Sequence, residues 1–284
     1  MYRFLWKPKW ILSHVLILAL IVSMIMLMLW QLRRLDEKKT LNALIAARAD
    51  VAPTEVAKVL SDEHIVTTAD GDRVEYRSAV IEGEYEPDRE FTIPSKTLDG
   101  APGRLLVTPL KWSDTEPPLL VMRGFIPQAV DDTTPPIATV EPPTGTVKLR
   151  GWLRETQEPE GIQSSKADLG NDSFARMDIR RIEQARGTEF LPVYLQLGAQ
   201  EPATRNDVLS FYPLPERSEG PHFSYAVQWG VFTFIALVGY PLVIRRVARG
   251  GSKDRRDDVP SDGPFDDPEP EPESSGGAPV GSNS

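Results

Sequence analysis

The sequence predicts a membrane protein in which two transmembrane helices flank an α+β domain with a mainly antiparallel sheet or partly closed barrel. Three observations carry that prediction. Two apolar stretches, Trp10–Trp30 and Tyr225–Ile244, stand near the two ends of the chain, each of about twenty residues, the length that crosses a bilayer. Between them, short β-like runs recur with Gly, Pro and Asp at the breaks. The whole chain nonetheless has a mean hydropathy of −0.28, so the spans flank a soluble domain rather than build a polytopic bundle.

The first stretch carries no formal charge, and only Ser13, His14 and Ser23 interrupt its apolar run. At 1.5 Å per residue it covers about 30 Å, the thickness of the hydrocarbon core. A cleaved signal peptide would be shorter and would end in small residues, whereas this stretch ends in Leu29-Trp30-Gln31-Leu32-Arg33-Arg34. The second stretch holds Gly239 and Pro241, which membrane helices tolerate. Tyr2, Trp6 and Trp10 at one edge, and Trp30, Tyr225 and Trp229 at the other, fit interfacial aromatic belts.

Charge sets the expected orientation. Arg245, Arg246, Arg249, Lys253, Arg255 and Arg256 follow the second span, and Arg3, Lys7 and Lys9 precede the first. Arg33, Arg34, Lys38 and Lys39 oppose them, but the C-terminal cluster is larger and lies directly against the helix end. The expectation is a plasma-membrane protein with both termini cytoplasmic and its central domain outside. The corresponding partition is 1–9 cytoplasmic, 10–30 first span, 31–220 domain, 221–244 second span, and 245–284 basic flank with an acidic tail.

Within the domain, Leu35–Ala49 reads as a continuing helix and Thr54–Leu60 as a short one capped by Thr54. Strands are expected over Arg73–Tyr85, Glu90–Leu98, Arg104–Lys111, Leu119–Ile126, Gly145–Arg154 and Leu191–Leu197. Met177–Arg186 is amphipathic and ends at Gly187, a helix stop. Gln200–Gly220 is a Pro-rich return towards the bilayer.

Composition narrows the chemistry. With Cys at zero, thiol exchange, thiolate metal ligation and iron–sulfur clusters are excluded within this chain. The net charge of −9 is concentrated in the tail, where residues 253–284 hold nine acids against three bases. No basic face for nucleic acid remains, and the tail has too little apolar content to fold. No nucleophile elbow or phosphate-binding loop is present, so an enzyme is not expected.

The histidines are His14, His64 and His222. His64 reads as a surface loop residue, and His14 as a polar residue one turn inside the bilayer edge that reaches the headgroups. His222 follows Gly220-Pro221 at the start of the second span, where the helix dipole favours the neutral imidazole. Glu219 is near enough in sequence to orient its ring, and Tyr225 and Trp229 follow at helical spacing as a flat flank. From the residues alone they read first as members of an interfacial aromatic belt, with a ligand site for a planar group as the alternative.

A resemblance bears on that choice. The matching residues are Tyr2-Arg-Phe, Trp10-Ile-Leu-Ser-His14, Leu29-Trp-Gln-Leu-Arg-Arg-Leu-Asp36 and Gly83-Glu-Tyr85. They continue through Pro102-Gly103, Val107-Thr-Pro-Leu110, Val121-Met-Arg-Gly-Phe-Ile-Pro127 and Gly151-Trp-Leu-Arg154. Leu191-Pro-Val-Tyr-Leu-Gln-Leu197, Glu219-Gly-Pro-His-Phe-Ser-Tyr-Ala-Val-Gln-Trp229 and Gly239-Tyr-Pro-Leu242 complete them, so the resemblance covers residues 2–246. On these residues the chain resembles bacterial, actinobacterial-type members of the Surfeit locus protein one (Surf/Shy) family. Pro94-Ser-Lys96 stands where the family has Asn-Arg, and Arg123-Gly124-Phe125 where it has Arg-Gly-Trp. The resemblance implies a respiratory-chain assembly factor that binds haem a, or assists its insertion into the catalytic subunit of cytochrome c oxidase. The family's haem-associated histidine falls on His222, with no metal expected beyond haem iron, and Arg123 is a weaker candidate for a propionate. Implied partners are that subunit or a respiratory supercomplex, haem a synthase and the lipid bilayer. The alternative is a scaffold or stably associated accessory subunit without haem of its own.

Overall fold

The computed structural model describes residues 3–130, 134–159, 172–204 and 207–250. The acidic tail lies outside the described residues. Contacts divide the chain into two units, one formed by the segments around the two apolar helices and the other by Trp30–Tyr225.

The apolar stretches fold as helix α1, Pro8–Ala49, and helix α4, His222–Gly250. Both are long and apolar enough to cross a membrane, which is consistent with a membrane protein. Within the unit of the two apolar helices, the Tyr240 hydroxyl lies 2.6 Å from His14 Nδ1 and 3.0 Å from Ser13 Oγ. His14 therefore meets a tyrosine of the other helix, where the sequence alone pointed it to the headgroups. Polar pairs of this kind hold helices together where apolar contact gives no preference over lipid.

In the other unit, strands β1 (Thr54–Glu55), β2 (Ser78–Tyr85), β3 (Phe91–Leu98) and β4 (Ala101–Lys111) come first. They are followed by β5 (Leu119–Pro127), β6 (Thr146–Arg154) and β7 (Tyr194–Glu201). The sheet order is β1-β2-β6-β7-β5-β4-β3, and an added β2–β4 pairing at Glu84↔Lys111 and Tyr85↔Leu110 closes five strands into a barrel. β5 and β7 run parallel and the other barrel pairs antiparallel. The barrel order β2-β4-β5-β7-β6 is that of OB-type Greek-key barrels, a likeness of fold that carries no function. The mainly antiparallel sheet expected from the sequence is thus present, and its barrel is closed.

Period-two alternation explains the interior. Ala79, Ile81 and Tyr85 of β2, Val147, Leu149 and Leu153 of β6, and Leu195 and Leu197 of β7 share one core. Helix α2 (Val56–Asp62) adds Val56 and Val59 to it. Helix α3 (Ile179–Arg186) places Ile179 and Ile182 in a second core with Phe91, Leu105, Leu120 and Met122 of β3, β4 and β5. β5 is therefore covered on both faces, which is why its run from Leu119 to Ile126 is uninterruptedly buried.

Several expected boundaries shift. Arg73 and Val74 belong to a 3-10 turn over Thr68–Val74, whose capping box is built by Thr67 and Asp70. Thr54 lies in β1 beside β2, so it does not cap the helix that follows. The last strand begins at Tyr194 and not at Leu191. Helix α3 stops at Gly187, in the left-handed conformation, as the sequence suggests, and it starts at Ile179 behind Asp178, whose side chain accepts from the Arg181 N–H.

Candidate functional site

Helix α4 begins at His222. Gly220 has φ +65°, a conformation glycine adopts without strain, and it turns the chain just before the helix. The Pro221 carbonyl accepts the first helical bond, from the Tyr225 N–H at 3.1 Å. Pro221 therefore stands just outside the helix in the role of its cap.

The His222 ring is half-buried, and its Nδ1 lies 2.9 Å from Oε1 of the buried Gln31. A carbonyl oxygen only accepts, so the ring proton sits on Nδ1 and donates to Gln31. The lone pair of the neutral ring is then on Nε2, which folds back over Gly220, 3.4 Å from where a β-carbon would stand. Among the described residues, Nε2 has no hydrogen-bond partner. Gln31 thus performs the orienting role that sequence proximity suggested for Glu219. The Glu219 carboxylate lies 3.9 Å from Lys39 Nζ instead, with both side chains more than half exposed. The physical reason is direction: Gly220, in a left-handed turn, and Pro221 separate Glu219 from the helix start, and its side chain points to Lys39.

Tyr225 is exposed on the first turn of α4. Trp229 belongs to the unit of the two apolar helices and stands edge-to-face with Phe232, with ring centroids 6.0 Å apart. His64 is exposed at the end of α2. No cluster of three or more His, Asp or Glu that could hold a metal ion occurs among the described residues. A single imidazole with its second nitrogen fixed is the ligand set His222 offers, and it suits haem iron.

Arg123 occupies a different place from the one its strand position suggests. It is fully buried, so neither a surface ion pair nor a ligand contact describes it. Its Nη1 lies 3.1 Å from Glu90 Oε2, its Nη2 donates to the Val140 carbonyl at 2.8 Å, and its guanidinium sits over the Tyr85 ring. Glu90 also accepts from Thr108 Oγ1 at 2.6 Å and from the Ile137 N–H at 2.9 Å. Burial pushes the Tyr85 phenol above its ordinary range, with Arg123 opposing, so Tyr85 stays neutral in this network.

Two groups important to this architecture had no sequence signal of their own. Gln31 lies inside the matched Leu29–Asp36 run, but nothing in that run marks it as a partner for His222 beyond its place at the same end of an apolar stretch. Glu90 reads as one acid among many and becomes distinct only through its burial.

The profile described as SURF1 family matches residues 18–234. An uncharacterised SURF1-like protein of Mycobacterium tuberculosis is 22% identical over 263 residues, covering 92% of this chain and 93% of that protein. A SURF1-like protein of Caenorhabditis briggsae is 23% identical over 252 residues, with 82% and 75% covered. One of Rickettsia bellii is 23% identical over 251 residues, with 84% and 93% covered. With the matched segment reaching from the first span to the second, the chain belongs to the SURF1 family, which is linked to oxidase assembly.

Proposed function

We propose that this chain is a non-catalytic, membrane-anchored assembly factor for haem–copper cytochrome c oxidase, and that it holds haem a through His222 while the catalytic subunit matures. The observation that supports this reading is the 2.9 Å contact of His222 Nδ1 with Gln31 Oε1, which in a neutral ring would hold the proton on Nδ1 and leave the Nε2 lone pair without a partner among the described residues. Tyr225 is the aromatic neighbour on the same helical turn. One neutral imidazole is an incomplete ligand set for haem iron. A carrier with an incomplete set gives up its cargo to a recipient that supplies a fuller one, and the oxidase's catalytic subunit is the recipient in this reading. Haem a synthase is the proposed donor, and a respiratory supercomplex an accessory docking partner. The arginines at the end of α4, Arg245, Arg246 and Arg249, support a plasma-membrane orientation with both termini cytoplasmic and the barrel outside.

The test is the visible spectrum of the chain purified in mild detergent from cells that make haem a. Wild type is expected to carry haem a and His222→Ala to lose it at equal protein. Equal haem in both would remove His222 from the role. No haem in either, with stoichiometric co-purification of finished oxidase, would replace the carrier with a scaffold or accessory subunit. Gln31→Leu is expected to keep His222 but free its ring, weakening haem retention by about 10–100-fold, as loss of a partner that orients a ligating histidine commonly does. Titrating haem into the stripped protein reads that change directly.

A further inference from the structure

Beside the outer face of the barrel, the extended return segment at Tyr212–Glu216 borders a cleft of about 380 Å³. Leu105, Met122 and Leu214 give it apolar walls, and Lys96, Arg154, Gln157, Tyr194 and Gln196 supply polar groups. The amide acceptors among these are already occupied. Gln157 Oε1 accepts from the Met177 N–H at 3.2 Å, and Gln196 Oε1 accepts from Arg154 Nη1.

What remains is a set of donors. Gln157 Nε2 donates to the Tyr194 oxygen at 3.3 Å, and the Tyr194 O–H has no acceptor among the described residues, although the side chain is only 1% exposed. Burial pushes the Tyr194 phenol up to about 12, opposed by Arg154, so the proton stays on the oxygen at neutral pH. Arg154 uses Nε on Glu75 and Nη1 on Gln196, and its Nη2 has no acceptor among the described residues. Lys96 is half-buried and has no carboxylate within 4.0 Å among the described residues. Burial lowers its ammonium below the usual lysine range, and the charge of Arg176 adds to that effect. Asp99 and Glu216 also line the cleft, but both are exposed and neither forms an ion pair with Lys96. A half-buried cation without a counter-charge, beside a buried hydroxyl without an acceptor, is costly unless something anionic completes it.

We propose that this cleft binds an organic carboxylate with an apolar body, the acid group against Lys96, Arg154 and the Tyr194 hydroxyl and the body against Leu105, Met122 and Leu214. This site does not rest on the reading of His222, and none of its lining residues takes part there.

The experiment uses the full chain in lipid nanodiscs and 3-phenylpropionate as probe, with binding followed by saturation-transfer NMR and isothermal titration. The acid is expected to bind at least about tenfold more tightly than 3-phenylpropanol or 3-phenylpropylamine, the factor that one charge-assisted contact commonly supplies. Lys96→Met is expected to lose about that factor while Lys96→Arg keeps it. Tyr194→Phe, which removes only the hydroxyl, is expected to weaken binding severalfold with the melting temperature little changed. Equal binding of the alcohol and the acid, or no change in Lys96→Met, overturns the proposal. Inorganic phosphate binding as tightly as the probe overturns the apolar half of it.

Discussion

Glu90→Gln is expected to destabilise the barrel by about 3–5 kcal/mol, the usual cost of removing one partner from a buried ion pair. Arg123 cannot reach water, since its side chain is fully buried, and its Nε already lacks a hydrogen-bond partner. Loss of the carboxylate would leave a guanidinium held only by the Val140 carbonyl and the face of Tyr85. The same substitution weakens the acceptors for Thr108 Oγ1 and the Ile137 N–H, so three elements loosen together. The double variant Glu90→Gln/Arg123→Met removes the stranded charge and is expected to be more stable than Glu90→Gln alone, because an apolar side chain of similar length fills the site without a desolvation cost. Urea unfolding of the full chain in mild detergent, followed by circular dichroism, measures both. A single variant within about 1 kcal/mol of wild type would show that the pair does not hold the barrel closed.

The second large effect is expected at Gly151. This residue lies on β6 against β7, where the pairing register shifts between Arg150 and Gly151. A β-carbon there would stand well under 3.0 Å from the Gln196 carbonyl oxygen, which is backbone and cannot swing aside. Gly151→Ala must therefore push apart neighbouring strands of a closed barrel, and a cost of about 3 kcal/mol is expected, at the upper end for overpacking. The displaced strand carries Gln196, whose side chain joins Arg154 to the Tyr212 carbonyl. Slower-exchanging amides of β6 and β7 are thus expected to lose protection together, read by hydrogen exchange. Unchanged protection across both strands would contradict the tight approach.

Much of this architecture was legible in the residues. The apolar lengths before Trp30 and after Tyr225 could form little other than long apolar helices. The Pro- and Gly-punctuated runs gave strands within a few residues of their ends, because alternation and turn chemistry act locally. Arg73–Val74 escaped because the Thr67–Asp70 capping box favours a 3-10 turn over extension. Arg123 escaped for a different reason. An arginine on a strand looks solvent-facing until a second layer of packing covers that face, and that layer includes Ile137 and Val140 from the irregular segment after β5, where no periodic pattern marks residues as buried.

The candidate site divides in the same way. His222 at the start of a helix, behind a glycine–proline turn and ahead of an aromatic run, is visible in a single line of sequence. Its tautomer is not, since Gln31 and His222 are 191 residues apart in sequence. The same is true of the donor-lined cleft, in which Lys96, Arg154 and Tyr194 come from three different strands. By itself, the sequence determined most of the elements and the class of the fold, and it singled out His222 as the candidate, because propensity, periodicity and length are properties of neighbours. Only the tertiary structure decided which acid neutralises Arg123, which side chain holds the His222 proton and which donors are left without acceptors. Those outcomes depend on side-chain direction and burial, which exist only once distant segments pack.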